Sequence, residues 1–476
     1  MQVRHAYGAD AINFVADGQV LKGDGSGQTI AIVDAYHNSY LASELRLFDA
    51  KYHLPNPTIN QVNLGSGQTN LGWAGEQALD AEWAHAMAPG ATLDVVEAAS
   101  DSTPDMMAAV DVARHLPGVS VVSMSWGDSE LAMSCTYNEM SYDPIFTTPT
   151  GHTGVTFVAA SGDDGTLLGA NYPAASPNVV SVGGTTLKVN AHGTILSETA
   201  WNWSGGGNSS FEPEPSYQAS VQHSGYRSTP DVSMEANPYP GVSVVVINPK
   251  KGTKRWEILG GTSLSAQLFG GLIAIVNQGR ALAGSKSLDG PSQTLPALYS
   301  APPSSYHDIS MRINRYNAIK GYDPATGLGA PRAASLLAYL VNYTQVSKVV
   351  ISSINPHITR TNMLDRAQLL QRRFLPPRNG SIRPQASRGQ TEFQVNLSRV
   401  GKGRPAGSIE LRVSPSPSKI PYGGFSPVRL QMDRQKRPST TSRGLSAVHI
   451  RPTAPSYTPP QLQLPGIRDP RGDYPF

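Results

Sequence analysis

The sequence predicts an α/β protein with a mostly parallel sheet, doubly wound so that helices cover both of its faces. The main observation is that near-continuous apolar runs, most of them ending in small or polar residues, alternate along the chain with helical patterns. Parallel strands that are buried on both faces have such runs, and the crossover helices between them cover the sheet. A second observation limits this fold to the first part of the chain, because the pattern fails after about Tyr343.

Five apolar runs are predicted to form strands. The first covers Thr29–Val33 and is followed by a loop that carries Asp34, and the others lie in ATLDVVEAA, VSVVSMSWG, GVTFVAASGDDG and NVVSVGGTT. Active sites in parallel sheets collect at the carboxyl ends of the strands. Asp34, Trp126 and Asp163 all follow predicted strands, so we expect them at this edge of the sheet.

Three helical patterns lie between or after these runs: GEQALDAEWAHAMAPGA (residues 75–91), MMAAVDVARHL and SLSAQLFGGLIAIVNQGRAL. In the first, Leu79, Trp83 and Met87 are four residues apart and share one helix face. Glu76 and Asp80 are also one turn apart. Taken alone, this acidic pair favours a solvated helix face over a catalytic couple.

Charge separates a body, residues 1–343, from a tail, residues 344–476. From Val346 to the end there are 21 Lys and Arg residues against 6 Asp and Glu, whereas the preceding part has 17 against 29. The tail is rich in Pro, Ser and Arg and has few long apolar segments, so we expect it to be disordered. A basic tail would bind nucleic acid or another polyanion, and an accessory extension without a partner is the simpler interpretation.

Other features of the composition limit the class of protein. No apolar run reaches the roughly 18 residues that a membrane span requires, and no signal peptide is visible at the N-terminus. Cys135 is the only cysteine, so no intramolecular disulfide can form. This fits a cytosolic protein, and it equally fits an exported protein that does not depend on disulfides.

Two short segments indicate nucleophilic chemistry. In GGTSLSAQLFGG, residues 260–271, two glycines allow a tight turn that places Ser263 at the start of an apolar helix. There the positive end of the helix favours developing negative charge, although Thr262 or Ser263 would equally serve as a helix N-cap. SGDDG, residues 161–165, contains Asp163 and on its own is typical of an ordinary turn.

Together these segments resemble the sedolisins, the serine-carboxyl peptidases of subtilisin-like fold. GGTSLSAQLFGG resembles the nucleophile segment of subtilisin-type peptidases, but GEQALD stands where those enzymes have a histidine segment. The resemblance runs from about Gln2 to Leu340 and includes, in the order of the family, GQTIAIVDAY, SMSWG, SGDDG, WNWSGGGNSSF, RSTPDVS, YHDIS and GYDPATGLGAP.

The resemblance implies an acid-acting endopeptidase with a role for each of four residues. Ser263 would be the nucleophile, Glu76 the general base, Asp80 the partner that orients Glu76 and shares a proton with it, and Asp163 a donor in the oxyanion hole. A free His is protonated in acid and cannot act as a base there, whereas a free Glu, with a pKa near ~4.3, remains a base around pH 4. Asp163 can donate a hydrogen bond only when it is protonated.

The resemblance also implies one structural calcium ion. The matching ligands are the carboxylates of Asp308 and Asp323 and the backbone carbonyls of Ile309 and Gly321. Oxygen ligands of this kind suit Ca²⁺, and two Asp residues in ordinary turns are the alternative. Ile319 stands where the family usually has a glycine whose carbonyl is a further ligand, so its contribution is less defined.

Smaller expectations concern the substrate and the surroundings of the acids. Ser125, Trp126 and Gly127 resemble the strand edge that pairs with extended substrate, and Asp34 and Trp126 are expected around the two carboxylates. Gln267 stands where the family usually has proline.

The resemblance further implies an extracellular monomer that acts on proteins or peptides, with a prosegment that is not recognisable in this chain. The rival hypothesis is a non-catalytic family member whose basic tail binds polyanions. A neutral subtilase is disfavoured because its histidine segment is missing.

Overall fold

The computed structural model describes residues 1–130, 138–310 and 318–344, together with two short strands further along the chain. The chain divides into two units, Met1–Ile351 and Ser352–Phe476. In the second unit, the strands Arg412–Ser414 and Arg429–Gln431 pair antiparallel. The remainder of the predicted tail lies outside the described residues, and its disorder stays a prediction.

The first unit contains eighteen described strands, most of them short. In chain order they are β1 Asn13–Ala16, β2 Gln19–Lys22, β3 Thr29–Ala35, β4 Ile59–Asn63, β5 Thr92–Ala98, β6 Val119–Met124, β7 Asp128–Ser129, β8 Thr156–Ala160, β9 Asn171–Tyr172, β10 Val179–Val189, β11 Ile195–Ala200, β12 Gly207–Pro213, β13 Tyr226–Thr229, β14 Val232–Glu235, β15 Val242–Ile247, β16 Lys254–Leu259, β17 Tyr306–His307 and β18 Ala330–Pro331.

Eight of these strands form the central sheet, in the order β11-β10-β8-β6-β3-β5-β4 with β14 also paired to β10. All of its pairs are parallel except β10 with β11. β6 and β8 are buried along their whole length, which explains why their sequences are continuous apolar or small runs. The predicted α/β architecture with a mostly parallel sheet is therefore confirmed.

The first predicted strand is two residues longer than the sequence indicated. β3 continues to Ala35, so Asp34 lies within the strand and not in a loop. In the pairing of β3 with β5, Asp34 lies opposite Glu97. An acidic residue interrupts the apolar pattern, which is why the sequence alone places the end of the strand too early. The backbone continues because β5 supplies a paired neighbour as far as Ala98.

The described helices are α1 Gln2–Ala6, α2 Leu41–Tyr52, α3 Leu71–Met87, α4 Thr103–His115, α5 Thr262–Leu282, α6 Leu295–Ser300 and α7 Ala333–Val341. Short 3₁₀ or π turns occupy Ala9–Ala11, Glu139–Ser141, Asp143–Ile145, Gly165–Leu168, Gly290–Thr294 and Pro303–Ser305. Among these helices, none is long and apolar enough to cross a membrane.

Helices cover both faces of the sheet, as the sequence predicts. Ile30 and Ile32 of β3 belong to one apolar cluster with residues of α3 and α5, whereas Ala31 and Val33 belong to a second cluster with residues of α4. Successive residues of a strand point to opposite faces, so the two clusters lie on the two sides of the sheet.

Helix α3 is the element that brings the acidic pair inside. It begins four residues before the predicted stretch, where the Asn70 side chain accepts hydrogen bonds from the backbone N–H groups of Gly72 and Trp73, and it ends at Met87, shortly before Pro89. Every residue from position 77 to position 87 is buried, because α3 packs against α2, α5, β3 and β15. A solvated face for Asp80 is therefore excluded.

A buried ion pair connects β13 to β10 and α6. The guanidinium of Arg227 on β13 donates to both carboxylate oxygens of Asp231, at 2.7 and 2.6 Å, and neither side chain is exposed to solvent. Asp231 also accepts from the backbone N–H of Ser181 on β10 and from the Tyr299 hydroxyl on α6. The pair thereby gives a structural reason for the RSTPDVS segment.

Candidate active site

The residues predicted to form the site lie around the carboxyl ends of β3, β6 and β8. Ser125 follows β6 directly, Asp163 comes three residues after β8, and Ser263 is the second residue of α5. Helix α3 contributes Glu76 and Asp80, and its packing against α5 brings the two helices together. The contacts described below join all of these residues into one cluster.

Glu76 interacts with Ser263 and with the other acids of the site. Its Oε1 atom is shielded from solvent and has no hydrogen-bond partner in the described part of the chain. The pKa of Glu76 is raised to about 7. Burial is the main cause, the charge of Asp163 raises the pKa further, and a hydrogen bond from the Ser263 hydroxyl lowers it. Glu76 is therefore a carboxyl group that retains its proton more strongly than a free glutamate, and it faces a serine hydroxyl.

Asp80 is completely buried one turn further along α3. Burial raises its pKa well above the usual range, and the nearby carboxylates of Asp34 and Glu76 raise it further, whereas hydrogen bonds with Ser125 and Gln267 lower it. Asp34 is equally buried, and neither of its carboxyl oxygens has a hydrogen-bond partner among the described residues. Two fully buried acids and the partly buried Glu76, this close together, cannot all be ionised, so at least one proton is shared among them.

Asp163 is held against the first turn of α5. Its Oδ1 atom accepts hydrogen bonds from the backbone N–H of Thr262 at 2.8 Å and from the Thr262 hydroxyl at 2.7 Å. The same hydroxyl accepts a hydrogen bond from the backbone N–H of Gly162 at 3.1 Å. Burial raises the pKa of Asp163, and the two bonds from Thr262 lower it. The aspartate is thus fixed immediately beside the residue that precedes Ser263.

Gly261 makes this close approach possible. Its φ of 102° lies in the left-handed region that favours glycine, and it caps the N-terminus of α5. A Cβ atom built on Gly261 would lie 2.6 Å from Oδ2 of Asp163, well inside van der Waals contact. The second glycine of GGTS is therefore needed for space as well as for the turn.

Ser263 is the partly exposed residue in an otherwise buried first turn of α5. Unpaired backbone N–H groups at a helix N-terminus favour negative charge, so an alkoxide or oxyanion near Ser263 would be stabilised there. The N-cap alternative for Thr262 and Ser263 is not observed, since the N-cap is Gly261 and makes no side-chain hydrogen bond.

The predicted substrate edge has one buried and one exposed end. Ser125 is buried, and its hydroxyl lies 3.5 Å from the carbonyl oxygen of Ser263, whereas Gly127 is exposed. The Trp126 indole donates to the carbonyl of Val33 at 2.9 Å, so it contacts the backbone beside Asp34. A concavity of about 230 Å³ adjoins this edge and is lined by Trp126, Gly127 and residues that include Trp73, Met106, Met107 and Tyr172.

One residue of the site was noticed in the sequence only as a departure from the family. Gln267 on α5 donates its side-chain amide to Oδ2 of Asp80 at 2.6 Å and to Oγ of Ser125 at 3.1 Å. The signal that could have indicated this contact is the spacing, because Gln267 lies one helical turn after Ser263 and four-residue neighbours share a helix face.

The two aspartates predicted as calcium ligands both contact the turn at residues 319–321. Oδ2 of Asp308 accepts from the backbone N–H of Gly321 at 3.0 Å, and Oδ2 of Asp323 accepts from the backbone N–H of Ile319 at 3.1 Å. Ile309 is buried immediately after Asp308. Among the described residues, no three His, Cys, Asp or Glu side chains are grouped as a metal site would require. The predicted ligands include two carboxylates, and both contact this turn; oxygen ligands of this kind suit a hard cation, and the ion itself stays a prediction.

Comparison with known proteins places this geometry in a class. The family model described as the subtilase family matches residues 63–287. Kumamolisin of Bacillus sp. (strain MN-32) is 35% identical over 359 residues, which cover 67% of this chain and 61% of kumamolisin. Sedolisin of Pseudomonas sp. (strain 101) is 33% identical over 257 residues, or 48% of this chain and 42% of sedolisin. The chain thus spans less than two thirds of the length of these relatives.

Comparison with solved structures gives the same result as comparison of the sequences. A solved structure of Pseudomonas sedolisin, described as a serine-carboxyl proteinase in complex with pseudo-iodotyrostatin, matches with a TM-score of 0.61 and 28% identity over 71% of this chain and 96% of that one. The parallel sheet, with a helix-borne serine beyond its carboxyl ends, is therefore that of a subtilisin-like protein. Within this class, the chain belongs to the sedolisin family.

Replacing Gly261 by alanine should lower the free energy of unfolding more than the same change at Gly284. Both glycines have positive φ, but a Cβ atom at Gly284 would meet nothing within 4 Å, whereas at Gly261 it would displace Asp163 from Thr262. We expect Gly284→Ala to cost about 1 kcal/mol and Gly261→Ala at least about twice as much. Equilibrium denaturation of both variants measures this, and equal losses would contradict the packing argument.

Proposed function

We propose that the chain is a serine-carboxyl endopeptidase that hydrolyses peptide bonds through an acyl-enzyme on Ser263. The observation that supports this most directly is the interaction of the Ser263 hydroxyl with the carboxyl group of Glu76, which has one oxygen shielded from solvent and lies close to Asp80. A nucleophile next to a base that is itself held by a third group is the arrangement that hydroxyl activation requires.

In the first half-reaction, Oγ of Ser263 attacks the carbonyl carbon of the substrate while Glu76 takes the hydroxyl proton. The oxyanion that forms accepts a hydrogen bond from protonated Asp163. Its collapse breaks the carbon–nitrogen bond, and Glu76 returns the proton to the leaving amine. In the second half-reaction, Glu76 takes a proton from water as water attacks the ester, and the proton returns to Ser263 when the acid product leaves.

The raised pKa values modify the pH range expected from the sequence. A free Glu would act as a base near pH 4, but burial raises the pKa of Glu76, Asp80 and Asp163 alike. The pair must lose one proton before Glu76 can act as a base, and Asp163 must keep its proton to donate. Both requirements move to higher pH when the pKa values rise. The pH range in which the site is active therefore moves upward from about pH 4 into weak acid.

Ser263→Ala should reduce kcat by about 10⁴-fold or more on a denatured protein substrate, because it removes the attacking oxygen. Ser265→Ala is the matched control on the same helix, since the Ser265 hydroxyl is buried and donates to the carbonyls of Met234 and Glu235. We expect the control to lose some stability and to keep its activity. Full activity of Ser263→Ala would refute the proposal, and a wild-type protein inactive at every pH would favour the non-catalytic hypothesis.

The value of kcat/KM should follow a bell-shaped pH profile whose acid limb lies above the free-carboxyl pKa of about 4, because Glu76, with a pKa of about 7, must lose its proton before it can act as the base. Activity rises as the pair of Glu76 and Asp80 loses its first proton. It falls at higher pH as Asp163 loses its proton or the pair loses its second proton. Hydrolysis of a chromogenic peptide from about pH 3 to about pH 8 measures both limbs. Activity that keeps increasing into the alkaline range would indicate a different base.

We also propose that Asp308, Asp323 and the carbonyls of Ile309, Ile319 and Gly321 bind one Ca²⁺ ion with a structural role. Calcium should raise the midpoint of thermal unfolding of the wild type, relative to a chelator, and should not raise it in Asp308→Asn. Asp111→Asn, which changes a half-exposed acid on α4, is the control and should respond as the wild type does. A calcium response retained by Asp308→Asn would refute this ligand assignment.

A further inference from the structure

Gln267 on α5 contacts two other parts of the site at once. The side chain is completely buried on α5, one turn after the proposed nucleophile. Its Nε2 atom donates to Oδ2 of Asp80 on α3 at 2.6 Å and to Oγ of Ser125, the residue after β6, at 3.1 Å. The family resemblance predicts proline at this position, and a proline side chain has no donor.

The surroundings of Asp80 explain why a neutral donor matters there. The titratable groups that face Asp80 are Asp34 from β3 and Glu76 from its own helix, and both repel its negative charge. The uncharged groups that favour the ionised form are the Ser125 hydroxyl and the Gln267 amide. Oδ1 of Asp80 has no hydrogen-bond partner in the described part of the chain. Among the described residues, the amide is therefore the group that holds the Asp80 carboxylate by a short bond of 2.6 Å.

We propose that Gln267 is a positioning residue for the acid pair: its amide holds the Asp80 carboxylate beside Glu76 and ties it to the helix that carries Ser263. This inference rests on the proposed function. A hydrogen bond donated to a carboxylate stabilises the ionised form, so Gln267 allows the pair to lose its first proton at lower pH than the acids alone would allow. The residue thereby extends the active range of the site into acid.

The test compares Gln267→Met with the wild type across the pH profile of kcat/KM. Methionine has a similar shape but no donor, so the acid limb should move upward by about one pH unit, as expected for the loss of a hydrogen bond to a charged group. At the pH of the wild-type acid limb, kcat should fall about tenfold, and KM should stay nearly constant because Gln267 is buried away from substrate.

Gln278→Met is the matched control. Gln278 lies on the same helix and is also buried. Its Oε1 atom accepts from the backbone N–H groups of Asp24 and Gly25 at 2.9 Å, and its Nε2 atom donates to Oδ1 of Asp24 at 3.2 Å, so it contacts neither Glu76 nor Asp80. We expect this variant to lose stability without moving the acid limb. If Gln267→Met does not fold, Gln267→Asn keeps an amide but withdraws it from Asp80 by one methylene, and the same upward shift is expected.

The outcomes separate the inference from the function on which it rests. A wild-type protein without Ser263-dependent hydrolysis would refute the proposed function. An active wild type whose acid limb is unchanged in the foldable Gln267 variant, or is shifted equally in Gln278→Met, would refute the positioning role alone.

Discussion

The packing of helix α3 against helix α5 is the constraint on which the candidate site depends. It removes α3 from solvent along its second half, so that Asp80 is buried and Glu76 is shielded beside Ser263. Burial of carboxyl groups is unfavourable unless they are neutral or hydrogen-bonded. The same contact that completes the core therefore forces protons onto the acids, and it makes the protonation of the site a property of the fold and not of any single residue.

The sequence predicted the layers of this fold well, because continuous apolar runs and helical periodicity both follow directly from burial. It misplaced the end of the first strand, since Asp34 breaks the apolar pattern while β5 still supplies backbone partners. It placed the acid helix four residues too late, because Asn70 caps the helix beyond the periodic stretch. Local patterns contain no information about such tertiary partners, so these errors arise where a distant element determines the outcome.

The candidate site was likewise predicted only in part from the sequence. Family motifs indicated Glu76, Asp80, Asp163 and Ser263, but neither motif nor spacing could give the degree of burial that raises the pKa values of the three acids. The contact of Gln267 with Asp80 joins residues 187 positions apart in the chain, and a position that differs from the family offers no motif to compare. The protonation chemistry of the site became visible only when the neighbours of each acid were known.

The enclosed pair of Arg227 and Asp231 has a consequence for the medium in which the protein is stable. Mobile counterions weaken attractions between exposed charges, but they cannot enter the space around two side chains that are both inaccessible to solvent. The attachment of β13 to β10 and α6 through this pair is therefore insensitive to ionic strength. The part of β10 around Ser181 should therefore stay equally attached to β13 in dilute buffer and in concentrated salt.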